Sequence, residues 1–223
     1  MYYSIYSVFC QYQNQYIVFF KNLHLFHFHE SIHQQKRFQT SSEAIEVLKK
    51  GGVILYPTDT VWGLGCDATN EEAVEKIFKI KQRSDSKSLI TLVADLDMVG
   101  RYVKEIPEMA VQLVEVNDKP MTIIYPGAMG LAPNAIAEDG TVGIRIPMMD
   151  FCCQLASRLG RPIVSTSANI SGEPTPKKFA EIPQQIKDAV DHIVDPSLEA
   201  GATGQASSII KVGLDYTIQI IRK

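Results

Sequence analysis

The sequence has no surplus of positive charge: 22 Lys and Arg stand against 25 Asp and Glu, a formal net charge of -3. A general electrostatic grip on nucleic acid is therefore not expected. Cysteine is scarce, at positions 10, 66, 152 and 153, with no Cys-x-x-Cys. That excludes a disulfide framework or a zinc knot and suits a reducing cytoplasm. Gly-x-x-x-x-Gly-Lys-Ser/Thr does not occur, so a P-loop is not expected. Of the five histidines only His192 lies beyond the first forty residues, which makes a Ser-His-Asp arrangement improbable. Long apolar runs are missing too. Gln11, Gln13, Asn14, Gln15 and Lys21 interrupt the aromatic N-terminal stretch, which also lacks an early basic region, so neither a signal peptide nor a spanning helix is expected. No catalytic nucleophile and no protein-held metal are expected.

Residues 1–39 differ in composition from the rest. They read as an atypical N-terminal extension, either peripheral or an over-long start to the reading frame. His24, His27, His29 and His33 crowd this stretch, but no carboxylate or cysteine set accompanies them to make a metal site. From residue 40 the pattern becomes regular, and 40–223 reads as one domain. Thr40-Ser41-Ser42-Glu43 reads as a capping box before a helix that Gly51 ends, and a strand follows at 53–56. Thr69-Asn70-Glu71-Glu72 reads as a second capping box, and its helix carries Ala73, Ile77 and Ile80 on one face. Strands are expected at 89–94, 121–125, 141–147, 162–165 and 192–195. Helices are expected after 94, from Pro107, around Phe151, Leu155 and Leu159, and near 177–190. A hairpin pairs 207–212 with 216–222. Strands and helices in this order predict an α/β domain with a mixed, twisted sheet.

Three stretches carry chemistry-bearing residues. In "VILYPTDTVWGLGCDAT", 53–69, a strand ends in Pro57, Thr58, Asp59 and Thr60 and then Gly63-Leu64-Gly65. Hydroxyls and free backbone N–H groups at a strand end bind carboxylate or phosphate oxygens, although an Asx-type turn accounts for them equally well. In "KIFKIKQRSDSKS", 76–88, Lys81 and Arg83 fall where the helix runs out and Lys87 follows. They complement the helix dipole or serve a polyphosphate. In "PIVSTSANISGEPTP", 162–176, a strand empties into Ser165, Thr166, Ser167 and Asn169, with Thr175 between two prolines. Arg145, inside the apolar strand "VGIRIP", requires an anionic partner, structural or ligand.

Taken in order, these stretches resemble the YrdC-like family, the threonylcarbamoyl-AMP synthases of tRNA modification. The carriers are Pro57 to Gly65, Lys81-Gln82-Arg83, Val142 to Pro147, Ser165 to Asn169, Ser207-Ser208 and Arg222. Trp62, where tyrosine is commoner, and Ser84 and Ser88, where proline is usual, depart from the family pattern. The resemblance implies a single YrdC-like domain with helices flanking the sheet and an open concave groove. It also implies a reaction: L-threonine, bicarbonate and ATP, with Mg²⁺ accompanying the nucleotide, give threonylcarbamoyl-AMP and pyrophosphate. Carried over residue by residue, Thr58, Thr60, Arg145, Ser165 and Ser207 would bind threonine. Lys81, Arg83, Lys87, Thr122, Ser167, Asn169, Thr175 and Arg222 would serve ATP. The product would pass to a tRNA threonylcarbamoyl transferase complex, so direct contact with tRNA is not required. Other readings are a paralogue with another substrate, a double-stranded RNA-binding module, and the carbamoyl-transferring domain of hydrogenase maturation.

Overall fold

In the computed structural model, which describes residues 41–82 and 89–223, nine strands form one mixed sheet. Across the sheet the order is β7-β1-β2-β6-β3-β5-β4-β8-β9. The strands are β1 Ile54–Tyr56, β2 Gly63–Asp67, β3 Ile90–Leu92, β4 Met121–Tyr125 and β5 Val142–Arg145. They continue with β6 Ile163–Ser167, β7 His192–Ile193, β8 Ser208–Val212 and β9 Ile218–Arg222. Helix α1 covers 41–49, and the others are α2 Glu71–Ile80, α3 Leu96–Tyr102, α4 Glu108–Val116, α5 Asp150–Leu159 and α6 Gln184–Ala189. This is the expected α/β class: an open mixed sheet flanked by helices. Its core includes Leu48, Ile54, Leu64, Ile77, Leu92, Ile123, Leu155 and Val164, each at most 1% exposed.

Several elements depart from the sequence expectations, each for a local reason. Gly63 to Asp67 is a full strand rather than the tail of a turn, paired antiparallel to both β1 and β6. Its glycines make room for the Tyr56 ring. A Cβ on Gly65 would meet Tyr56 Cε1 at 2.6 Å, and one on Gly63 would meet Ser165 Oγ at 3.1 Å. Helix α2 is capped by Asn70, whose side chain accepts from the Ala73 N–H, while Thr69 turns back to hydrogen-bond Asp67. The cap therefore sits one residue later than the Thr69 pattern suggests. Pro107 precedes α4 as its N-cap rather than opening its first turn. The helix expected over 177–190 is a 3₁₀ turn, Phe179–Glu181, followed by α6, with Pro183 between them. Gly160 closes α5 in the left-handed region at φ 72°, as expected. The N-terminal extension and the Thr40 cap position lie outside the described residues. Among the described residues no helix is long and apolar enough to cross a membrane.

The register brings the chemistry-bearing segments together. The start of β2 pairs with the end of β6, Gly63 opposite Ser167 and Gly65 opposite Ser165. Ser165 also lies opposite Ile90 near the start of β3. Thr58 to Thr60, just past the end of β1, thus arrives at the same end of the sheet as the 165–169 segment.

Candidate functional site

At that end of the sheet is a cavity of about 270 Å³. Its wall holds Thr58, Thr60, Arg145, Ser165, Ser167, Thr175, Ser207 and Arg222, eight of the residues singled out in the sequence. Leu89, Ile90, Val61 and Ile209 supply apolar wall between them. Lys81, Thr122 and Asn169 are buried but are not part of the wall. Arg83 and Lys87, and the departures at Ser84 and Ser88, lie outside the described residues.

The turn after β1 is held by its own hydroxyls. The Thr58 hydroxyl donates to the Val61 carbonyl at 2.7 Å and accepts from the Thr60 N–H at 3.1 Å. The Thr60 hydroxyl lies 2.8 Å from it. Pro57, without an N–H, ends the strand just before this turn. Asp59, between the two threonines, points inward to an ion pair with Arg145, and its second oxygen accepts the Met148 N–H at 3.0 Å. Arg145 therefore has a structural carboxylate. Of the two partners the sequence left open, one is supplied by the protein itself. The need was legible, since a lone guanidinium in an apolar strand requires an anion, but which carboxylate answers it is set by the fold.

The loop after β6 is braced from within. Lys81, at the end of α2 and 3% exposed, donates through Nζ to the carbonyls of Ser167 at 2.6 Å and Asn169 at 2.7 Å. The Ser167 hydroxyl donates to Asn169 Oδ1 at 2.5 Å, and Asn169 Nδ2 donates to the Glu173 carbonyl at 2.7 Å. Across the cavity Thr122 and Ser207 share a hydroxyl contact at 2.8 Å, and Arg222 Nε donates to the Ser207 carbonyl at 2.8 Å. Partial burial draws the Arg222 guanidinium below its ordinary pKa.

Trp62 is a contributor the sequence marked only as a departure. It forms part of the wall, and its indole N–H donates to Glu199 Oε2 at 2.7 Å. The same oxygen accepts the Phe179 N–H at 2.9 Å, and the Trp62 and Phe179 rings lie 5.0 Å apart. Beneath the cavity the Tyr56 hydroxyl is buried with no hydrogen-bond partner, and burial raises its pKa and that of the neighbouring Cys152 thiol. Both stay protonated at neutral pH. Two guanidinium groups, a ring of neutral hydroxyls and an apolar strip are suited to a small polar substrate carrying anionic groups.

Comparisons with known proteins point the same way. The Sua5/YciO/YrdC family pattern, described as telomere recombination, matches residues 46–223. A threonylcarbamoyl-AMP synthase of Idiomarina loihiensis is 35% identical over 183 residues, spanning 81% of this chain and 96% of that protein. One from Stenotrophomonas maltophilia is 34% identical over 173 residues, spanning 76% of this chain and 92% of its own. Among solved structures, P. abyssi Sua5 complexed with L-threonine superposes with a TM-score of 0.70 at 30% identity. That match covers 79% of this chain and 51% of Sua5, so this chain spans about half the length of that protein. E. coli YciO superposes with a TM-score of 0.71 at 28% identity, covering 84% of this chain and 89% of YciO.

Proposed function

This chain belongs to the Sua5/YciO/YrdC family, and from that membership we propose that it is a nucleotidyltransferase making threonylcarbamoyl-AMP. L-Threonine, bicarbonate and ATP are its substrates, pyrophosphate is the second product, and the reaction is the first step of threonylcarbamoyladenosine modification of tRNA. The observation that carries the reading is the meeting of Thr58, Thr60, Arg145, Ser165, Ser207 and Arg222 around one cavity, in a chain about one third identical to proteins of that name.

The chemistry asks for positioning and charge neutralisation rather than a protein nucleophile. The threonine amine condenses with bicarbonate, with loss of water, to give a carbamate, and a carbamate oxygen attacks the α-phosphorus as pyrophosphate leaves. Arg145 with the Thr58, Thr60, Ser165 and Ser207 hydroxyls would receive threonine. Arg222, Thr122, Ser167, Thr175 and Asn169 would frame the nucleotide. Lys81, Arg83 and Lys87 would serve the phosphates, with Lys81 also fixing the carbonyls of the 167–169 loop. Mg²⁺ would arrive on the phosphates as part of the ATP substrate. The product would then pass to a tRNA threonylcarbamoyl transferase complex.

The test is pyrophosphate release from ATP with bicarbonate present, with and without L-threonine. Release that depends on threonine is expected. ATP binding without threonine-dependent release would overturn the assignment and point to a family member with another substrate.

A further inference from the structure

Arg145 is 4% exposed and stands in the cavity wall, yet its three nitrogens are used unequally. Nη1 is fixed by Asp59 Oδ1. Nη2 has one long contact, to Thr60 Oγ1 at 3.4 Å. Nε is buried without a hydrogen-bond partner. Asp59 is itself tied at several points: the Met148 N–H reaches its other oxygen at 3.0 Å, and its backbone carbonyl accepts from the Thr203 N–H at 3.0 Å. The carboxylate can neither rotate nor withdraw without breaking both bonds to its oxygens.

In a guanidinium the Nε–H and one Nη2–H point the same way and form a side-on fork that matches the two oxygens of a carboxylate. Asp59 occupies only Nη1, so within the protein that fork carries just the long Nη2 contact to Thr60, and its Nε–H has no partner. A buried N–H without a partner is unfavourable, and a ligand carboxylate at the fork removes that penalty. Asp59 also balances the guanidinium charge. An unpaired Arg145 would attract any anion, phosphates included, whereas the neutral pair depends on two aligned hydrogen bonds and so on a planar carboxylate.

Resting on the synthase reading above, we propose that Asp59 is a positioning and specificity residue. It holds Arg145 through Nη1 so that the Nε–Nη2 edge receives the carboxylate of the amino-acid substrate.

The substitution that tests this is Asp59→Asn, which keeps the shape but removes the charge and one acceptor oxygen. The KM for L-threonine is expected to rise about tenfold or more, on the scale of a lost charge-assisted bond, while the KM for ATP stays within about twofold. A merely structural role would not divide the two substrates in this way. An unchanged threonine KM, or equal losses for both substrates in a folded variant, overturns the inference. If Asp59→Asn does not fold, the wild-type protein decides. Its Arg145 Nε–H resonance, assigned by its loss in Arg145→Lys, should shift on adding L-threonine and not on adding L-threonine amide, which lacks the carboxylate. Threonine bound with that resonance unmoved overturns this role for Asp59 alone. A wild-type protein that binds no threonine overturns the synthase reading, and this role with it.

Discussion

Lys81 Nζ lies 2.6 Å from the Ser167 carbonyl and 2.7 Å from that of Asn169, joining the end of α2 to the loop after β6. A cation that the family resemblance assigns to the phosphates is thus a brace in the fold, buried with its donors aimed at backbone oxygen. On the synthase reading, loop shape and phosphate chemistry would be coupled at this residue, and substitutions here would act on both.

Replacing Lys81 with Met keeps the aliphatic stem and removes the donors. Charge-assisted bonds to a buried carbonyl contribute about 1.5–3 kcal/mol, so Lys81→Met is expected to lower unfolding free energy by about 2–3 kcal/mol. Urea titration measures this, with the KM for ATP recorded alongside. Unchanged stability would mean that the ammonium does not brace the loop.

Trp62 ties the cavity wall to the segment that carries Glu199. Trp62→Phe keeps an aromatic ring but loses the indole donor at 2.7 Å from Glu199 and part of a fully buried side chain, at an expected loss of about 2–3 kcal/mol. The same segment reaches the 58–62 turn through the Thr203 and Gly204 N–H groups, which donate to the carbonyls of Asp59 and Thr60. Amide exchange at Thr203 and Gly204 should therefore quicken in Trp62→Phe while β6 is unaffected. Equal exchange in both proteins would detach Trp62 from this segment.

Most of the element order could be read from the sequence because it is written in local patterns. The Phe151, Leu155 and Leu159 stripe, the Gly160 terminator and the hairpin around residues 213–215 need no tertiary information. β2 could not be read that way. Gly63-Leu64-Gly65 has poor strand propensity, and its reason for being a strand is the Tyr56 ring across the ladder, a contact set by tertiary packing. At the site, residue types were legible and pairings were not. Arg145 announced its need for an anion, but that Asp59 answers it depends on bringing residues 86 positions apart together.

Gly65 is the position where that packing can be tested most directly. Gly65→Ala puts a methyl 2.6 Å from Tyr56 Cε1 and 3.1 Å from the Val164 carbonyl oxygen, leaving no easy escape. A destabilisation of about 1–3 kcal/mol is expected. Tyr56→Phe is the counterpart. It removes a buried hydroxyl with no partner and should leave stability within about 0.5 kcal/mol of wild type, or raise it. Thermal unfolding of the two variants checks both. A large loss in Tyr56→Phe would reveal a bond made by that hydroxyl.

Acid stability offers a separate handle on the β8 side of the sheet. Asp139 accepts hydrogen bonds from Lys211 and Thr141, and these hold its carboxyl down from 3.8 to about 2. A carboxyl with a depressed folded-state pKa contributes stability that is present above its unfolded value and lost as pH falls through the folded one. The window is therefore the interval from about pH 4 down to about pH 2. Asp139 and Lys211 are 55% and 40% exposed, so solvent screening keeps the contribution below about 1 kcal/mol. Asp139→Asn should be slightly less stable than wild type at pH 7 and should converge on it near pH 2, which parallel urea titrations at the two pH values measure. A difference that stayed constant across that range would place the effect in shape rather than charge, and would remove Asp139 from the acid response of the fold.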